Sequence, residues 1–126
     1  MNSIESPRTG DSAIEQEINA KGLTAPRVTP NDLAENIVDV YYFSAMDAIF
    51  GYCKHASKTL EPLSLLTFCV LVLRNGFTVT GESACASPEN FDAEIGRKIA
   101  LENAKQKVWP LMGYALKQKL SETTKG

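Results

Sequence analysis

A single histidine, His55, and three cysteines, Cys53, Cys69 and Cys85, are all the imidazole and thiol that the 126 residues contain. The cysteines are odd in number and none stands in a close pair, so neither a disulfide framework nor a structural zinc site is expected, and thiols fit a reducing cytoplasm. Long apolar runs are also missing. The longest, Leu63 to Leu73, is broken by Ser64 and Thr67 and falls well short of the roughly 20 residues of a spanning helix, so no membrane segment is expected. The first thirty residues carry acids and no apolar core of the signal-peptide kind. Charge of one sign is absent too: a formal net charge of −2 gives no whole-molecule positive field, which argues against a nucleic-acid coat. Gly76, Gly81 and Gly96 lack the spacing of any phosphate loop.

What is present describes one domain. Residues 1–29 read as a flexible N-terminal arm. Residues 1–11 form its tail, Ser12 to Lys21 allows a short helix, and Pro26 and Pro30 hold the linker extended. Residues 30–126 read as a single α+β domain. Thr29 is a helix cap with Pro30 at the first helical position and Asp32 in the first turn, and Leu33, Ile37 and Val40 at helical spacing predict a helix over about 30–40. Tyr41-Tyr42-Phe43 can start a strand, residues 44–55 mix signals, and residues 56–62 read as a loop.

Two β-rich runs, about 64–74 and 77–84, flank Asn75-Gly76. A two-residue type I′ hairpin there pairs Arg74 with Phe77, Val72 with Val79, Val70 with Gly81 and Phe68 with Ser83, on the face expected to be core. Leu73, Leu71 and Cys69 then share the other face with Thr78, Thr80 and Glu82. So much apolar surface on an outer face predicts cover by another layer or by a second subunit, hence a homo-oligomer of two or more chains. Ser87 or Asn90 caps a long helix to about Val108, on which Ala93, Gly96, Ala100 and Ala104 make a small-residue stripe; Pro110 predicts a kink or restart before 111–120. The fold class is therefore α+β, an antiparallel sheet around the Asn-Gly hairpin with a long C-terminal helix packed on it.

Catalytic sets are scarce. Cys53 and His55 are the only neighbouring thiol and imidazole and read as an ordinary thiol and a surface histidine, while Cys69 and Cys85 pack as small hydrophobes. No metal ligands, no cofactor and no enzyme activity are expected. Binding has better candidates. The stem of Arg97 lies among apolar helix neighbours, and its guanidinium pairs either with a carboxylate such as Glu82 or Glu89 or with a ligand phosphate. Asn90 either caps the helix or joins the free amides of the helix start in holding an anion. Phe77, beside Arg74 at the hairpin tip, either stacks on a purine or packs in the core.

From Leu66 to Leu116 the NGF turn, the GESAC segment, the SPENFD helix start, the EIGRKIA stretch and the WPLMGY end resemble the small tailed-phage and prophage proteins named after gene products forty-nine and sixty-six of two enterobacterial phages. The AKGLTAPRVTP segment resembles them as well. That family is in turn similar to the first Thoeris anti-defence protein, a sponge for cyclic ADP-ribose-like signals of bacterial TIR enzymes. The resemblance implies a phage-encoded, non-enzymatic binder of a small cyclic nucleotide in the host bacterial cytoplasm. It places Arg97 and the residue one turn later, Leu101, at the ligand phosphates. Leucine stands there where an arginine is expected, which removes charge-assisted bonds worth roughly 1.5–3 kcal/mol. The alternative is an accessory protein that binds a host protein or nucleic acid, with Lys98, Lys105, Lys107, Lys117 and Lys119 as its exposed cations.

Overall fold

The computed structural model describes residues 6–52 and 61–124. Cys53 and His55 lie outside them. The chain is α+β: α1 (Ser6–Ala20), α2 (Pro30–Asn36), β1 (Ile37–Ser44), α3 (Ala45–Tyr52), the single turn α4 (Glu61–Ser64), β2 (Leu66–Leu73), β3 (Thr78–Ala84), a 3₁₀ turn (Pro88–Asn90) and α5 (Ala93–Thr124). The three strands form one antiparallel sheet in the order β1-β2-β3, and α5 packs on one face of it.

The start of α2 follows its sequence signal. The Thr29 hydroxyl accepts from the Asp32 amide at 3.1 Å and the Asp32 carboxylate accepts from the Thr29 amide at 2.9 Å, a reciprocal cap with Pro30 in the first turn. These bonds hold the Asp32 carboxyl below its ordinary range. Thr29→Ala should cost about 1 kcal/mol, a fall in melting temperature of about 4 °C that a thermal scan resolves. The helix ends at Asn36 rather than near 40. Ile37 and Val40 fit helical spacing, yet the β-branched and aromatic run IVDVYYFS pairs with β2 instead. Upstream, α1 begins at Ser6, six residues earlier than the sequence reading. Glu15 of α1 and Arg27 of the linker bond through both guanidinium nitrogens, which lowers the Glu15 carboxyl pKa.

The hairpin corrects the expected register. Leu73, not Arg74, pairs with Phe77: the Leu73 amide donates to the Phe77 carbonyl at 2.8 Å and the Gly76 amide to the Leu73 carbonyl at 2.8 Å. The loop thus has three residues, Arg74-Asn75-Gly76, and only Gly76 takes a positive φ, at +91°. That conformation leaves Asn75 unstrained, whereas a type I′ turn would need both residues at positive φ. A shift of one residue exchanges the faces of β2. Leu71 stands opposite Val79 and Cys69 opposite Gly81, and Thr67, Cys69, Leu71 and Leu73 point inward while Phe68, Val70 and Val72 point outward. The face expected to need a second subunit is therefore covered by α5 of the same chain, with Cys69 and Leu71 fully buried. Burial also pushes the Cys69 thiol pKa up. Phe77 lies at the exposed tip, not in the core.

Leu33, Cys69, Leu71, Leu73, Val79, Ala100, Ala104 and Val108 make the core, with Leu101, Trp109 and Met112 packed at its border. Gly96, Ala100, Ala104 and Val108 form the buried stripe of α5, whereas Ala93 is exposed. The closest approach is at Gly81, where an added Cβ would stand 2.3 Å from the Ala100 carbonyl oxygen and 2.3 Å from the Ala104 amide nitrogen. Two further expectations change. Neither Ser87 nor Asn90 caps α5: the Asp92 carboxylate does, accepting from the Ile95 amide at 3.0 Å. The helix also runs unbroken through Pro110. Gln106, whose carbonyl loses its usual donor there, is exposed.

Candidate functional site

Three arginine side chains are described, and two are engaged. Arg27 is bound to Glu15. Arg74 donates from Nη2 to the Glu35 carbonyl at 2.7 Å, and its amide reaches the Asn36 carbonyl at 2.9 Å, so it closes the C-terminal end of α2. Arg97 is exposed and makes no hydrogen bond or ion pair among the described residues. The carboxylate partner weighed for it, Glu82, faces Lys107 at 3.8 Å instead.

The free guanidinium borders a pocket of about 340 Å³ between the end of β1, the start of α3 and the first turns of α5. Its size is that of a small-ligand cleft. Tyr42 and Phe91 supply aromatic wall, and Asp47 and Ser64 supply oxygen. Each is set in place by local structure. Tyr42 and Ser44 lie on the α5 side of β1, because their cross-strand partners Cys69 and Thr67 do. Phe91 immediately precedes the Asp92 cap and packs toward Gly96, where a Cβ would be 3.9 Å from the ring and 3.0 Å from the Thr67 hydroxyl. Phe91 thus stands one residue before the cap, with its ring beside the buried Gly96 in the first turns of α5. Burial raises the Tyr42 hydroxyl pKa, and the positive charge of Arg97 opposes that rise; the hydroxyl stays protonated and able to donate at neutral pH.

The residues expected to act together are not all together. Asn90 lies in the exposed 3₁₀ turn one residue before Phe91. Leu101, one turn beyond Arg97, is half-buried against the core. Arg74 and Phe77 belong to the opposite end of the molecule, where Arg74 neighbours Met112 and Ala115 of α5. Fifteen residues of helix separate Arg97 from Met112, about 22 Å at 1.5 Å per residue, too far for one nucleotide to touch both ends of a single chain. Tyr42, Asp47 and Phe91 are among the pocket residues that the sequence did not point to. Phe91 had a signal, an aromatic next to an aspartate cap; Tyr42 and Asp47 arrive only through the pairing of β1 with β2.

Among the described residues no group of three His, Cys, Asp or Glu gathers to hold a metal, and no helix is long and apolar enough to cross a membrane. Residues 28–120 match the phage protein (N4 Gp49/phage Sf6 gene 66) family. No curated protein and no solved structure matches the chain.

Proposed function

The chain belongs to this family of phage proteins, and from that premise we propose that it is a non-enzymatic binding protein that captures a small phosphate-bearing nucleotide of the cyclic ADP-ribose type in the bacterial cytoplasm, so withholding a signal of anti-phage defence. The observation that carries the reading is the Arg97 guanidinium, which lines an aromatic-walled pocket and has no partner among the described residues. A planar fork of donors fits two phosphate oxygens, and the neighbouring rings offer a face to a base. The likeness to the anti-defence sponge, which rests on an α+β layout with a basic helix after an Asn-Gly hairpin, points to the same residue by position. With Leu101 turned to the core, phosphate contact from this helix rests on Arg97 alone. Asn90, one residue from Phe91, is near enough for a role at the ligand's edge; Arg74 and Phe77 could reach a pocket only from a neighbouring copy. Assembly into a homo-oligomer is part of the proposal, supported by the half-exposed apolar outer face of the sheet, where Phe43 and Phe68 stack with centroids 5.5 Å apart.

Titration calorimetry with cyclic ADP-ribose isomers and cyclic oligonucleotides tests the reading. At least one should bind with a micromolar or lower dissociation constant, and heat denaturation of the complex should return it intact. Recovery of a hydrolysed product would make the protein an enzyme, and failure of every nucleotide to bind would remove the sponge. The second reading, a host-protein partner, is favoured by that outer face alone: Tyr41 is 56% exposed and Phe43 37% exposed there.

A further inference from the structure

The pocket at Arg97 also contains a carboxylate, and a site shaped for phosphate alone has no use for one. Asp47, exposed in the first turn of α3, lines the same pocket as Arg97, and the two stand too far apart for an ion pair. Helix capping accounts for only part of it. The Ser44 hydroxyl accepts from the Asp47 amide at 3.0 Å, and Asp47 Oδ2 takes the Ser44 amide at a long 3.4 Å. Oδ1 has no partner among the described residues. Ser64, another hydroxyl of the pocket, donates its proton to the Glu61 carbonyl at 2.6 Å and so offers Asp47 no donor.

A carboxylate only accepts hydrogen bonds, and it repels a phosphate placed against it. A ligand that satisfies both ends of this pocket must therefore present its anion at Arg97 and a pair of donors at Asp47. Neighbouring hydroxyls on one ring meet the two oxygens of a carboxylate side by side, the manner in which acidic residues hold the ribose of dinucleotides. We propose that Asp47 is a specificity residue that accepts from the free vicinal hydroxyls of a ribose, so that the pocket selects ribonucleotides over deoxyribonucleotides of the same charge. The assignment rests on Arg97 being the phosphate-binding group. It adds a second, separable contact: Arg97 provides attraction that any nucleotide would feel, and Asp47 provides the discrimination. Tyr42, a neutral donor on the same wall, has no conflict with either group.

The test uses cyclic ADP-ribose and two analogues, each lacking the 2-hydroxyl of one of its riboses, titrated into the wild-type protein and into Asp47→Asn. The amide keeps the size of the side chain and can still accept from Ser44, so α3 retains its cap; a melting curve checks this. One analogue should bind the wild-type protein at least about tenfold more weakly than the parent, the loss expected for a hydrogen bond to a charged group. In Asp47→Asn that difference should shrink to less than about threefold, as a coupled contact requires. Equal binding of all three ligands to the wild-type protein would overturn the ribose assignment and leave phosphate binding at Arg97 standing. The same discrimination persisting in Asp47→Asn would remove Asp47 from the role. No binding of any of them to the wild-type protein would overturn both this assignment and the nucleotide reading. Should the variant fail to fold, the analogue series on the wild-type protein alone still decides whether a ribose hydroxyl is read.

Discussion

Arg97→Ala should weaken nucleotide capture by about 100-fold or more and leave the melting temperature within about 2 °C of the wild type. The first half follows from geometry: a guanidinium that meets a phosphate through two nitrogens loses two charge-assisted bonds at once, each worth about 1.5–3 kcal/mol. The second half follows from what Arg97 does not touch. It makes no ion pair or hydrogen bond among the described residues and is exposed, so truncation orphans no buried partner. Arg97→Lys sharpens the test, since it preserves charge but not the planar fork and should recover only part of the affinity. Calorimetry beside thermal melts reads both quantities. A melting temperature that falls by ten degrees or more, with capture lost only through unfolding, would make Arg97 a structural residue and take the phosphate contact away from it.

Gly81→Ala should have the largest effect on stability of any single-methyl change in the sheet. The new carbon would lie 2.3 Å from Ala100 O, 2.3 Å from Ala104 N and 2.8 Å from Ala104 Cα, all of them backbone atoms that no rotamer change can move. Either α5 lifts from β3 or the strand shifts, and both open the seam that buries Cys69, Leu71 and Val108. Overpacking of this kind costs about 3 kcal/mol, which at this chain length lowers the melting temperature by about 10 °C. Gly113→Ala is the matched control with the opposite sign. Nothing lies within 4 Å of a Cβ there, the residue is exposed and helical, and alanine should raise stability by about 0.5–1 kcal/mol. Circular dichroism melts of the two variants compare them directly. If Gly81→Ala melts like the wild type, the helix does not rest on the strand where the structure puts it.

Features governed by a few adjacent residues were legible in the sequence, and features that depend on a distant strand were not. Thr29, Pro30 and Asp32 announce the start of α2 because a cap is made of its own neighbours. The stripe Gly96, Ala100 and Ala104 announces the buried face of α5 because helical periodicity is local. The hairpin is intermediate: Asn75-Gly76 marks the turn, but whether one or two residues take positive φ decides the loop length, and a single residue of loop inverts the faces of β2. The boundary of α2 failed for a different reason. Leu33, Ile37 and Val40 satisfy a helical spacing, and only the presence of β2 as a partner turns Ile37 and Val40 into strand. The site divides along the same line. Arg97 is visible as a cation beside a small-residue stripe, whereas Tyr42 and Asp47 come from residues some fifty positions earlier that the sheet carries to it.

The length of α5 has a practical consequence. Its 32 residues span about 48 Å, while an eight-residue strand spans about 27 Å, so the helix meets the sheet over its first half and overhangs the hairpin with its second. Arg97 stands near one end, and Glu122 lies some 25 residues further along, roughly 38 Å away. A fluorophore or a surface tether attached at Glu122 would therefore sit well clear of the pocket. Immobilised in that way, the protein would present Arg97 to solution, which makes it suited to flow-cell measurement of ligand exchange without any alteration at the site being measured.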